Sequence, residues 1–90
     1  MSSRRDRLHI INDILFSIQE KVGKIRPTHL LYKSNLAHNK MKTYLEELMG
    51  KGLIKETDYE GNKYYCLTEE GIRFVNEFRK IKEFVDSFGL

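Results

Sequence analysis

One short β-rich block interrupts a chain that otherwise repeats its apolar residues at helical spacing. That interruption narrows the folds open to it. LIKETDY (53–59) and KYYCL (63–67) are rich in β-branched and aromatic residues, and Glu60-Gly61-Asn62 supplies a turn between them. Ahead of it, Leu8, Ile11, Ile14, Leu15, Ile18 and Val22 recur at helical steps, and Gly23 follows as a stop. A first helix is expected over about residues 4–22, then a very short strand at 24–26. Thr28, just after Pro27, is placed to cap a short helix, HLLYKS. Ser34-Asn35-Leu36 makes a turn. The next helix runs over about residues 38–49, with Met41, Tyr44, Leu45 and Leu48 on one side, and Gly50 and Gly52 end it. After the hairpin, Thr68 caps a last helix reaching about residue 87, with Glu69 and Glu70 at its positive end.

Two short helices joined by a tight turn and followed by a hairpin describe a winged helix-turn-helix. The fold class is mainly α with a small hairpin, α+β. Ninety residues allow one small structural unit with a single modest core. Residues 1–67 are expected to form the winged helix-turn-helix domain and residues 68–90 a C-terminal dimerisation helix.

Charge is unevenly placed. Residues 1–55 hold eleven Lys or Arg against five Asp or Glu, whereas residues 56–90 hold five against eight. The contrast is sharpest in the third helix, where His38, Asn39, Lys40, Lys42 and Thr43 crowd into the N-terminal turns and Glu46 and Glu47 come after. A helix N-terminus offers unpaired N–H groups and partial positive charge, so phosphate is favoured there. This fold sets its third helix against a nucleic-acid groove. Double-stranded DNA is therefore the expected partner. Asn39 can bridge adenine N6 and N7, and Thr43 can meet a base edge or a thymine methyl. Asn39, Lys42 and Thr43 are assigned to the groove, and Lys33, Asn35, His38 and Lys40 to the backbone. Arg4, Arg5 and Arg7 form either a basic arm beside the duplex or a charged, solvated terminus. Arg26 and Lys24 are weaker candidates. The wing carries Glu56, Asp58 and Glu60, so only Asn62 and Lys63 at its tip suit phosphate, and a marginal wing contact is expected. Tyr59, Tyr64 and Tyr65 have rings able to stack on unpaired bases, but packing is the favoured reading for them.

The run THLLYKSNLAHNKMKTYLEELMGKGLI, then YYCLTEEG, resembles the archaeal winged helix-turn-helix DNA-binding family. The resemblance lies in Thr28, Leu30, Leu31, Tyr32, Asn35-Leu36, Tyr44-Leu45, Leu48, Gly52-Leu53-Ile54 and Leu67-Thr68 with Gly71, and it covers roughly residues 8–85. It implies DNA binding by the third helix and dimerisation by the fourth, through antiparallel coiled-coil pairing in the small chromosomal members. Ala37 and His38 depart from the family, which often has Ser or Asn and then Tyr there. Ala37 cannot cap the third helix.

In the last helix Gly71, Phe74, Phe78, Ile81, Val85 and Phe88 fall at alternating steps of three and four, and Val75 and Phe84 broaden the stripe. A core this small cannot cover all of them. The expected outcome is a symmetric homodimer contacting through Phe74, Phe78, Ile81, Phe84, Val85 and Phe88. The alternative is a helix folded back on helix 1 within a monomer.

No catalytic constellation, phosphate-binding glycine loop or metal-ligand spacing among His9, His29, His38 and Cys66 is evident, so no enzyme activity and no cofactor, metal or small-molecule ligand is expected. No apolar run reaches membrane-spanning length, and a single cysteine fits a reducing compartment. The expectation is a cytoplasmic, nucleoid-associated transcriptional regulator or chromosomal protein. The alternative is a winged-helix module that binds another protein.

Overall fold

A computed structural model describes residues 6–90. The chain runs α1 (Arg7–Glu20), β1 (Lys24–Ile25), α2 (Pro27–Ser34), α3 (His38–Gly50), β2 (Ile54–Tyr59), β3 (Asn62–Leu67) and α4 (Glu69–Asp86). The three strands form an antiparallel sheet in the order β1-β3-β2. Helices α1, α2, α3 and the start of α4 pack with the sheet around a core that includes Ile14, Leu15, Ile18, Leu30, Leu48 and Val75.

Local chemistry explains each boundary. Asp6 caps α1, its carboxylate accepting the His9 N–H at 2.9 Å. That bond holds the Asp6 carboxyl below its usual range, with the His9 side chain adding to the effect. The helix ends earlier than its apolar spacing predicts. The Gly23 N–H donates to the Ile18 carbonyl and the Val22 N–H to that of Gln19, which turns the chain at Lys21. Val22 therefore leaves the helix with φ 59° and is 94% exposed, not part of the apolar face. Leu8 is exposed as well. Thr28 is not a cap. Pro27 occupies the first turn of α2, where its missing N–H costs nothing, and Arg26 takes the cap position. The hairpin turn is tighter than expected: Glu60 and Gly61 both adopt positive φ, 51° and 79°, and Asn62 already belongs to β3.

The start of α4 is fixed to the sheet. Thr68 Oγ1 accepts the Gly71 N–H at 3.1 Å and donates to the Gly52 carbonyl at 2.6 Å. Gly71 lies so close to the Leu53 carbonyl oxygen that any Cβ would collide with it. Beyond the core, Phe74 stacks on Phe78 with centroids 6.1 Å apart, and Phe78 meets the His9 ring edge-on at 5.4 Å. From Arg79 onward every residue of the helix is exposed. The protruding helix accompanies an elongated outline of 48 × 28 × 22 Å.

Candidate nucleic-acid interface

Helix α3 owes its exposed N-terminus to the turn that precedes it. Asn35 closes α2 in the left-handed region at φ 57°, and Ala37 is extended, so α3 starts abruptly with no side-chain cap. Met41, Leu45 and Leu48 bury one side of the helix. His38, Asn39, Lys40, Lys42, Thr43 and Glu46 are exposed on the rest. Among the described residues, no carboxylate pairs with Lys40 or Lys42 within ion-pair distance, whereas Arg7, Lys33 and Lys63 are each engaged by a glutamate. Thr43 Oγ1 donates to the Asn39 carbonyl at 3.0 Å, so its hydroxyl proton is spent within the helix, and its methyl and the acceptor side of its oxygen are left for a partner.

The other predicted contacts differ in availability. Lys33 reaches back from α2 to Glu20, 2.8 Å away, tying α2 to the end of α1. Lys63 is bound to Glu56 at 3.3 Å and faces Asp58 across the ladder, and Glu56 raises its pKa. Asn35 and Asn62 are exposed, Asn62 beside the hairpin turn. Arg4 and Arg5 lie outside the described residues. Arg7 belongs to α1 and forms an ion pair with Glu47 of α3, which holds that carboxyl below its usual range. The sequence left Arg7 open between a basic arm and a charged, solvated terminus and did not anticipate this pair. The pair is 40 residues apart in the chain, so only the tertiary fold reveals it.

Between α3, α2 and the inward side of the hairpin lies an open groove of about 400 Å³, with Leu31, Met41, Leu45 and Met49 among its lining. Lys42, Glu46, Glu56 and Lys63 also border it, so its charge is balanced rather than basic. Tyr65 belongs to this inward face and to the core, and its burial pushes the phenol pKa up.

The fold is that of a winged helix: a helix-turn-helix, α2 and α3, followed by a two-stranded wing. The sequence profile of the winged helix-turn-helix family matches residues 4–86. This chain belongs to the winged helix-turn-helix family. Among solved structures, this winged helix is similar to the DNA-binding protein Sso10a-2 from Sulfolobus solfataricus, at 26% identity and a TM-score of 0.73, covering 94% of this chain and 90% of that one. It also resembles a winged-helix DNA-binding protein from STIV, at 14% identity and a TM-score of 0.75, covering 89% of this chain and 92% of that one. A third similar structure comes from Pseudomonas aeruginosa, at 22% identity and a TM-score of 0.75, covering 92% of this chain and 59% of that one. Comparison with curated proteins found no match. Among the described residues, no group of three or more His, Cys, Asp or Glu has metal-ligand geometry, and no helix is long and apolar enough to cross a membrane.

Proposed function

We propose that this winged helix binds double-stranded DNA by laying α3 in the major groove, as a homodimer, and acts as a transcriptional regulator or chromosomal protein. The carrying observation is the first turns of α3, where uncapped helix N–H groups, Lys40 and Lys42 meet solvent with no carboxylate partner among the described residues. Asn39 supplies a donor–acceptor pair for a base edge, and Lys42 and the Thr43 methyl lie beside it. His38, Lys40 and Asn35 would reach the flanking phosphates. Lys33 would have to exchange Glu20 for phosphate, and Lys63 would have to leave Glu56. Both are secondary contacts, as is Asn62 at the wing tip. Arg4 and Arg5 would add charge from the N-terminus. The described DNA binding of Sso10a-2 and of the STIV protein supports the same reading.

Dimerisation rests on the far half of α4, with residues 1–67 as the binding domain and residues 68–90 as the joining helix. Phe74 and Phe78 are partly covered by the chain's own core and His9. Ile81, Phe84 and Phe88 are 63%, 66% and 66% exposed, with Val85 between them. Burying an apolar side chain stabilises by about 1.5–3 kcal/mol, so a second copy of α4 packed antiparallel on this stripe would recover several such terms. Phe74 and Phe78 would border the contact. A dimer also carries two α3 helices, raising the effective concentration of the second on DNA.

The test is a titration of a mixed-sequence 20-base-pair duplex, alongside sedimentation equilibrium at micromolar protein. The wild type should bind as a dimer. Lys40→Ala/Lys42→Ala should weaken binding about tenfold or more while remaining dimeric. Undiminished binding by that variant would remove α3 from the site, and a monomeric wild type would remove the proposed joining role of α4.

A further inference from the structure

We infer that the outward face of the sheet is a second nucleic-acid surface, built for an unpaired DNA strand. The register puts Tyr65 inward, paired with Ile25 and Glu56, so the alternate residues point the other way. Lys24, Cys66 and Lys55 form one outward row across all three strands, and Tyr64 pairs with Thr57 in the next. Tyr59 and Tyr64 meet edge-to-face at 6.5 Å. Lys24 Nζ sits over both rings, 4.3 Å from the Tyr59 centroid and 5.0 Å from that of Tyr64, and the Arg26 guanidinium lies 5.7 Å from the Tyr64 centroid. Lys24, Arg26, Lys55 and Tyr59 are all exposed.

The charge here is one-sided. Both strand acids, Glu56 and Asp58, belong to the inward set, and Glu60 stands at the turn. Three cations remain on the outward face. Among the described residues, Lys24, Arg26 and Lys55 have no carboxylate partner. Cations held over aromatic rings keep their charge available, and phosphate complements it.

The tyrosines select the form of the polymer. A duplex hides its base faces, so phosphate attraction alone would leave the aromatic pair unused. An unpaired strand offers base faces to stack on a ring while its backbone follows the lysines. Tyr59 is 53% exposed, and Lys24 covers only one side of it. A base would stack on its open side, with Lys24, Arg26 and Lys55 against the flanking phosphates. This surface shares no residue with the α3 face, so it stands or falls independently of duplex binding.

The probe is a fluorescein-labelled oligothymidylate of 15 nucleotides, which forms no duplex. Anisotropy is read on the full chain, together with the intrinsic tyrosine fluorescence, since the chain has no tryptophan. The wild type should bind, with quenched tyrosine emission. Tyr59→Ala should lose about tenfold in affinity for the single strand, while Tyr59→Phe stays within about twofold. Lys24→Ala/Lys55→Ala should weaken binding and flatten its salt dependence. Lys40→Ala/Lys42→Ala should bind the oligothymidylate as the wild type does, and Tyr59→Ala should bind duplex as the wild type does. Circular dichroism establishes that each variant is folded. Absence of oligothymidylate binding, an unchanged affinity in Tyr59→Ala, or loss confined to the α3 variant would each overturn the proposal. Loss only in the lysine variant would mean phosphate contact without stacking, which also overturns it.

Discussion

Helix α3 and the inward side of the hairpin each set one lysine, Lys42 and Lys63, at the same groove, yet the two elements hold their lysines under opposite conditions. In α3, Lys40 and Lys42 stand at a helix N-terminus with no acid partner among the described residues, and the acids come later. Glu47 is turned aside to Arg7. In the hairpin, Lys63 is bound to Glu56 and lies opposite Asp58. A cation already paired must exchange one anion for another, and the net gain on binding phosphate is small. On the proposed reading, position on the wing would not by itself make a strong DNA contact. The difference lies in whether each lysine's local partners leave its charge unspent.

The widest break of this comparison is structural, because both regions hang on one scaffold. Gly71→Ala would ordinarily be harmless or helpful in a helix, but here the new Cβ meets the Leu53 carbonyl oxygen. The expected loss is about 1–3 kcal/mol or more, read as a lowered Tm, with duplex binding lost in parallel as the fold fails. An unchanged Tm would mean that α4 is free to shift from the sheet.

Next in size is the proposed joining role of α4. Phe84→Glu places a charge in the stripe that includes Phe88, whose ring lies 5.2 Å away. Sedimentation should show a monomer, and duplex affinity should fall about tenfold or more as the second α3 is lost.

Glu56→Gln sharpens the contrast between the two lysine sets. It frees Lys63 and removes a negative charge from the groove. Duplex affinity at low salt should rise by about twofold to fivefold, the scale of an exposed ion pair. A fall would show that the Glu56–Lys63 pair positions the wing.

The smallest effect concerns acid. The Arg7 interaction depresses the folded pKa of Glu47, so its stabilising contribution is present above the ordinary 4.5 and is lost as pH falls through the folded value. The Asp6 cap follows the same sign below its ordinary 3.8. In an acid titration followed by circular dichroism, Glu47→Gln should flatten the decline below about pH 4.5.

Much of this was legible in the sequence, because it is periodic. The helices, the hairpin and the buried side of α3 follow from apolar spacing and turn residues. Spacing fails where another bond competes. Val22 continues the stripe of α1 on paper, but the Gly23 N–H bonding to the Ile18 carbonyl throws it into solvent. Thr28 has the chemistry of a cap, but Pro27 one residue earlier already satisfies the first turn. The exposed cluster on α3 was readable as a helical face. Charge pairing was not, since Lys33–Glu20 and Arg7–Glu47 join residues 13 and 40 apart. Nor could the sequence say which tyrosine packs. That needed the strand register, which sends Tyr65 inward and Tyr64 outward.

The most direct measurement is the salt dependence of wild-type binding to a mixed-sequence duplex. Two α3 helices bearing Lys40 and Lys42 would neutralise about four phosphates, so log Kobs should fall with log salt concentration at a slope of roughly −3.6 or steeper. The same plot for Lys40→Ala/Lys42→Ala should be shallower by roughly 3.6, the share of the four lost contacts. A wild-type slope near zero, or a variant slope as steep as the wild type's, would contradict the account.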